Sequence, residues 1–179
     1  MSRIVLLHGP SSSGKSTLAR AVLEASDTPF LRLSIDTLRD GGALFPASRS
    51  LWAEHRPKVF DGLHHAIAAF ADAGNDLIVE HIFDSPGWHG ELAALLKAHR
   101  VVFVGLLTAP DVLAAREVAR GDRQPGSALA DSAHVHLGRR YDLELDGVAP
   151  PQVNAAEVLA ALSRMGKGES RFFDAPPDR

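Results

Sequence analysis

Apolar residues along the chain fall into short blocks of strand length separated by stretches of helical spacing. Ile4 to His8 is a branched apolar run closed by Gly9, and from Gly14 to Ala25 the apolar positions Leu18, Val22 and Leu23 share one helical face. Phe30 to Ile35 predicts a second strand, bounded by Pro29 before it and by Asp36 and Thr37 after it. Ser48 to Ala73 has helical spacing with a kink at Pro57, and Gly74-Asn75 stops it before a third strand, Leu77 to Val79. A helix from Pro86 to His99, a fully buried strand from Val101 to Leu107 and a helix from Pro110 to Arg120 follow. Gln124 to Arg140 is rich in small and charged residues and predicts a mobile helical flap. Tyr141 to Leu145 reads as a fifth strand and Val153 to Met165 as a last helix.

Strands alternating with helices predict an α/β fold, a doubly wound five-stranded parallel sheet covered on both faces. The expected organisation is one domain over 1–165 with a small helical lid at about 116–140, then a flexible C-terminal tail over 166–179, polar and proline-bearing apart from Phe172 and Phe173. With 45% hydrophobic residues in 179, the chain can bury a substantial core.

Composition narrows the chemistry. A formal charge of −3 offers no basic excess, so nucleic acid is not an expected partner. The absence of cysteine excludes disulfides, thiolate nucleophiles and Cys-based zinc sites. The N-terminus lacks the pattern of a signal peptide, and the apolar runs fall far short of the roughly 20 residues that span a bilayer; a cytoplasmic protein without membrane contact is expected.

Gly9-Pro10-Ser11-Ser12-Ser13-Gly14-Lys15-Ser16 matches GxxxxGK[ST], between a predicted strand and a predicted helix. Small residues there let backbone N–H groups curl around a phosphate, and the helix N-terminus adds positive potential. Lys15 would reach the outer phosphates, Thr17 would complete the phosphate-binding turn, and Ser16 would hold Mg²⁺. ATP and Mg²⁺ are therefore the expected cofactors.

Three further features could complete such a site, each with a plainer reading beside it. Asp36, at a strand end, could take the proton of an acceptor hydroxyl, or could simply cap a helix. Glu80, after Leu77-Ile78-Val79, could hold Mg²⁺ or be a solvated strand-end charge. Arg116, Arg120 and Arg123 recur at i, i+4 and i+7 and could clamp phosphates, or serve a helix C-terminus and surface pairs with Glu117 or Asp122. His64-His65 and His134/His136 lack zinc-pair spacing and are expected to be structural or exposed, as is His81. Asp84-Ser85-Pro86-Gly87 has the DxxG spacing of GTPases, yet no Asn-Lys-x-Asp motif accompanies it. A nucleotide-binding regulator acting on a macromolecule is the remaining alternative.

With these residues in place, the chain resembles the chloramphenicol phosphotransferase family from about Ile4 to Asp146. The likeness rests on Gly9 to Ser16, Ser34-Ile35-Asp36-Thr37-Leu38, the strand Leu77 to Phe83 and, most specifically, Arg116-Glu117-Val118-Ala119-Arg120-Gly121-Asp122-Arg123. It implies a P-loop kinase that uses ATP and Mg²⁺ to phosphorylate a hydroxyl of a small molecule, an antibiotic such as chloramphenicol. It also implies Asp36 as base, with Lys15, Arg120 and Arg123 stabilising phosphate.

Overall fold

The computed structural model describes residues 1–44, 49–120 and 126–174, with the side chains at 49, 50 and 120 outside that description. Five strands form one sheet in the order β2-β3-β1-β4-β5: β1 (Arg3–His8), β2 (Leu31–Ser34), β3 (Leu77–His81), β4 (Arg100–Leu107) and β5 (Leu143–Asp146). Every pairing is parallel. The central strands β1, β3 and β4 are the most apolar because helices cover both of their faces.

Alternate residues of each strand feed opposite cores, as the twofold repeat of a strand requires. Ile4, Leu6, Leu77, Val79, Val101 and Phe103 pack under α3 (Arg49–Asp72) and α4 (Trp88–Leu96). Val5, Leu7, Ile78, Val102 and Val104 pack under α1 (Lys15–Ala25) and α7 (Pro151–Arg164). Three further helices, α2 (Ile35–Asp40), α5 (Pro110–Arg120) and α6 (Ser127–Ser132), border the C-terminal edge of the sheet.

Several expectations shift. The second strand stops at Ser34, whose hydroxyl accepts the N–H of Thr37 and starts α2, so Asp36 lies in a first helical turn rather than at a strand end. The fourth helix starts at Trp88, after Gly87 with its positive φ, and not at Pro86. Pro151 rather than Val153 opens the last helix, a first-turn position where the missing N–H costs nothing. The described part of the tail is docked rather than loose: Phe172 is fully buried in the core, and Asp142 accepts the Ser170 hydroxyl and the Arg171 N–H. The expected flap, in its described part 126–140, holds the short helix α6 followed by turns, with Ala128 and Val135 buried.

Buried imidazoles thread the core. His8, His64, His81 and His89 are all buried. Burial pushes His8 and His81 well below the ordinary imidazole value and brings His89 to about 4. His8 accepts the Phe83 N–H at Nε2, so its Nδ1–H faces the Tyr141 hydroxyl at 2.9 Å. Gly105 leaves the space for that tyrosine ring, which a Cβ would meet at 2.6 Å.

A depressed imidazole pKa stabilises the fold above the unfolded value and that stability is lost as pH falls below it. Denaturant midpoints are therefore expected to hold above about pH 6.5 and to fall steadily toward pH 4, the window set by the unfolded imidazole and by His89 at about 4. A midpoint unchanged across that window would contradict neutral buried histidines.

Candidate active site

The turn from β1 into α1 is built around two glycines. Gly9 has φ 155°, and a Cβ there would lie 2.7 Å from the Leu106 carbonyl, so the loop can press against β4 only with glycine. Gly14 has φ 106° and sets the last bend before Lys15. The loop's carbonyls are taken up by side chains. Lys15 Nζ donates to the Gly9 and Pro10 oxygens at 2.8 and 2.7 Å. Thr108 Oγ1 and Arg116 donate to the Ser13 oxygen at 3.1 and 3.2 Å. Arg116 also reaches the Gly147 oxygen at 2.9 Å, tying the loop to the turn after β5.

The hydroxyls of Ser11, Ser12 and Ser13 are buried without a hydrogen-bond partner. Buried polar groups in folded proteins are satisfied with few exceptions, so three in one loop at a helix N-terminus fit a bound phosphate. A metal position fits as well: Ser16 Oγ donates to Glu80 Oε2 at 2.6 Å, which puts two hard oxygen donors side by side at the end of β3. Arg32 Nε holds the other Glu80 oxygen at 2.6 Å.

These residues open onto one cleft of about 610 Å³ along the C-terminal ends of the strands. One half is bordered by the phosphate loop, Leu106, Arg116, Gly147 to Pro151 and Asn154. The other is bordered by Asp36, Arg39, Trp52, Arg56, Phe60, His81 and Asp84. Asp36 and Arg39 pair at 2.6 Å. Arg56 chelates both Asp84 oxygens at 2.7 Å while lying over the Phe60 and Trp88 rings.

Lys15, Ser16, Thr17, Glu80, Asp36 and Arg116, all proposed from sequence, thus line one cleft. Arg116 donates to the Ser13 and Gly147 carbonyls, so its guanidinium braces the phosphate loop. The Arg120 side chain and the whole of Arg123 lie outside the described residues. The Glu117 carboxylate accepts the Ser127 hydroxyl and the N–H groups of Gly126 and Ala128, capping α6. Those bonds, led by Ser127, hold its pKa below the ordinary carboxylate value. His81 is packed, as expected, with His64 Nε2 at 2.9 Å from its own.

Sequence reasoning missed Arg32, Arg39, Arg56 and the turn at Gly147. The arginines carry no motif, and Gly147 had one weak signal, a glycine ahead of Pro150-Pro151.

A model of the chloramphenicol phosphotransferase-like proteins matches residues 2–164. The chain belongs to this family. A Mycobacterium tuberculosis protein provisionally named an O-phosphotransferase is 29% identical, over 88% of this chain and 80% of its own length. Two solved structures share the fold. The M. tuberculosis APS kinase CysC in complex with AMPPNP and APS superposes with a TM-score of 0.67 at 22% identity, covering 90% of this chain and 98% of that one. The Deinococcus radiodurans tunicamycin resistance protein gives 0.65 at 20% identity, covering 93% and 99%. This family member is a phosphotransferase with the P-loop kinase fold. Among the described residues no helix is long and apolar enough to cross a membrane.

Gly9→Ala is expected to force the loop off β4 and weaken nucleotide binding at least about tenfold, because its Cβ would overlap the Leu106 carbonyl. Titration calorimetry with ADP checks this, and wild-type affinity would contradict the loop geometry.

Proposed function

We propose that the chain transfers the γ-phosphate of ATP to a hydroxyl of an uncharged small molecule that has an apolar part. The observation that carries this reading is the charge balance of the acceptor half of the cleft. There Arg39 faces Asp36, Arg56 faces Asp84, and the wall beside them carries Trp52, Phe60, Ile35 and Ile82. An anionic acceptor would meet no unneutralised arginine among these described residues; a neutral one would meet rings and hydrogen-bonding groups.

In this reading the phosphate loop and Lys15 hold the nucleotide's phosphates, and the Asp36 carboxylate accepts the proton of the attacking hydroxyl. Arg116 keeps the loop fixed through its carbonyls, and Arg120 and Arg123 are proposed to stabilise the transferring group. Ser16 and Glu80 would hold Mg²⁺, which when bound offsets phosphate charge. Chloramphenicol and related hydroxylated antibiotics are the first acceptors to test, an assignment supported by the family name and by the tunicamycin resistance protein among the fold relatives. A second reading, phosphorylation of another small metabolite, draws support from gluconokinase and shikimate kinase folds at 22% and 16% identity.

A panel of neutral and anionic hydroxyl compounds, incubated with ATP and Mg²⁺ and read by mass spectrometry, tests the acceptor class. Phosphate adducts confined to neutral compounds are expected; adducts confined to carboxylates or phosphates would overturn it. Asp36→Asn should lower kcat about 10²- to 10⁴-fold, the range for a positioned base, with ATP affinity little changed. Undiminished kcat would remove Asp36 from the chemistry.

A further inference from the structure

The phosphate loop is in contact with an anion of the protein's own. Asp131 in α6 places Oδ2 3.2 Å from the backbone nitrogen of Ser11, so a loop N–H donates to a side-chain carboxylate at the border of the cleft. Ser11 is itself 4% exposed, with its hydroxyl unpartnered. Whatever binds this N–H must come from the cleft side or from α6.

The helix that carries Asp131 is held by the same region that braces the loop. Glu117 caps α6 through three hydrogen bonds. Its neighbour Arg116 holds the Ser13 and Gly147 carbonyls. Adjacent residues of α5 therefore grip the phosphate loop with one side chain and α6 with the other. Beyond α6, His136 Nδ1 lies 2.7 Å from the Tyr141 hydroxyl, and that hydroxyl is 2.9 Å from His8, the residue before Gly9. The segment bearing Asp131 is thus anchored to the loop from both ends.

We infer that Asp131 sets nucleotide affinity by competing with the terminal phosphate of ATP for the Ser11 N–H. This rests on the reading of Gly9 to Ser16 as the nucleotide-phosphate site. One N–H has one best acceptor direction, and two anions on it repel each other, so the carboxylate and a phosphate oxygen exclude one another. Nucleotide arrival displaces Asp131 from the Ser11 N–H, while the Glu117 cap and the buried Ala128 continue to hold α6. The energy of the Asp131 contact is subtracted from phosphate binding.

Isothermal titration of the full chain with ATP and Mg²⁺, and separately with inorganic phosphate, tests this in the wild type and in Asp131→Asn, Asp131→Ala and Lys15→Ala. Removing the negative charge at Asp131 should tighten both ligands, ATP by at least about fivefold, the scale of one exchanged charge-assisted hydrogen bond. Hydrogen exchange should show the α6 amides less protected when ATP saturates the wild type. Unchanged or weaker ATP binding in both Asp131 variants, with Lys15→Ala still abolishing it, would overturn the role of Asp131 and leave the phosphate loop standing. Lys15→Ala binding ATP as well as the wild type would instead remove the phosphate-loop reading on which the inference rests. Asp131→Asn keeps the side-chain volume, so a folding defect confined to Asp131→Ala leaves the test intact.

Discussion

The structure depends on a backbone loop whose carbonyls are held by side chains of the elements around it. Six residues between β1 and α1, Gly9 to Gly14, form a turn whose carbonyls at Gly9, Pro10 and Ser13 are claimed by Lys15, Thr108 and Arg116, while its three serine hydroxyls stay without a hydrogen-bond partner. Oriented peptide N–H groups at a helix start supply positive potential without reorganising during reaction, which is what phosphoryl transfer requires of its site. The sheet order follows the same need. Placing β1 between β3 and β4 brings Glu80 to one side of the loop and Leu106 to the other. The α5 helix then supplies the arginine that locks loop and β5 turn together.

The two halves of the cleft differ in electrostatic character, and the difference is informative. On the phosphate-loop side, Lys15 and Arg116 meet the carboxylates of Asp131 and Glu80 among the described residues. On the acceptor side, charges occur as pairs. Arg56 is further held by its two rings, so it acts as wall as much as charge. A site of this kind discriminates by shape and hydrogen bonding rather than by field.

Much of this was legible in the sequence where the cause is local. The phosphate loop is written in eight consecutive residues, and the alternation of strand and helix follows from apolar spacing. The setting of Asp36 was misread because Ser34-Ile35-Asp36-Thr37 continues an apolar strand on paper, while in the fold the Ser34 hydroxyl caps a helix two residues earlier than the aspartate. The docked tail could not be read, since Asp142 holds Ser170 and Arg171 from 28 and 29 positions away in sequence and His89 holds the Phe172 carbonyl from 83 away. Arginine spacing predicts one helical stripe of Arg116, Arg120 and Arg123 that could clamp phosphates, but helical register says nothing of what a neighbouring loop offers, and Arg116 donates to the Ser13 carbonyl of the phosphate loop. Histidines were a similar case: His64 and His81 make a buried pair only because α3 crosses over the end of β3.

Phosphoryl transfer itself is tested most directly by following label from ATP carrying a radioactive γ-phosphate, with the wild type and Lys15→Ala side by side and a neutral hydroxylated acceptor present. The account predicts that label passes to the acceptor with the wild type, in proportion to acceptor consumed, and that Lys15→Ala transfers none. Label appearing only as inorganic phosphate whatever acceptor is supplied, or transfer undiminished in Lys15→Ala, would contradict it.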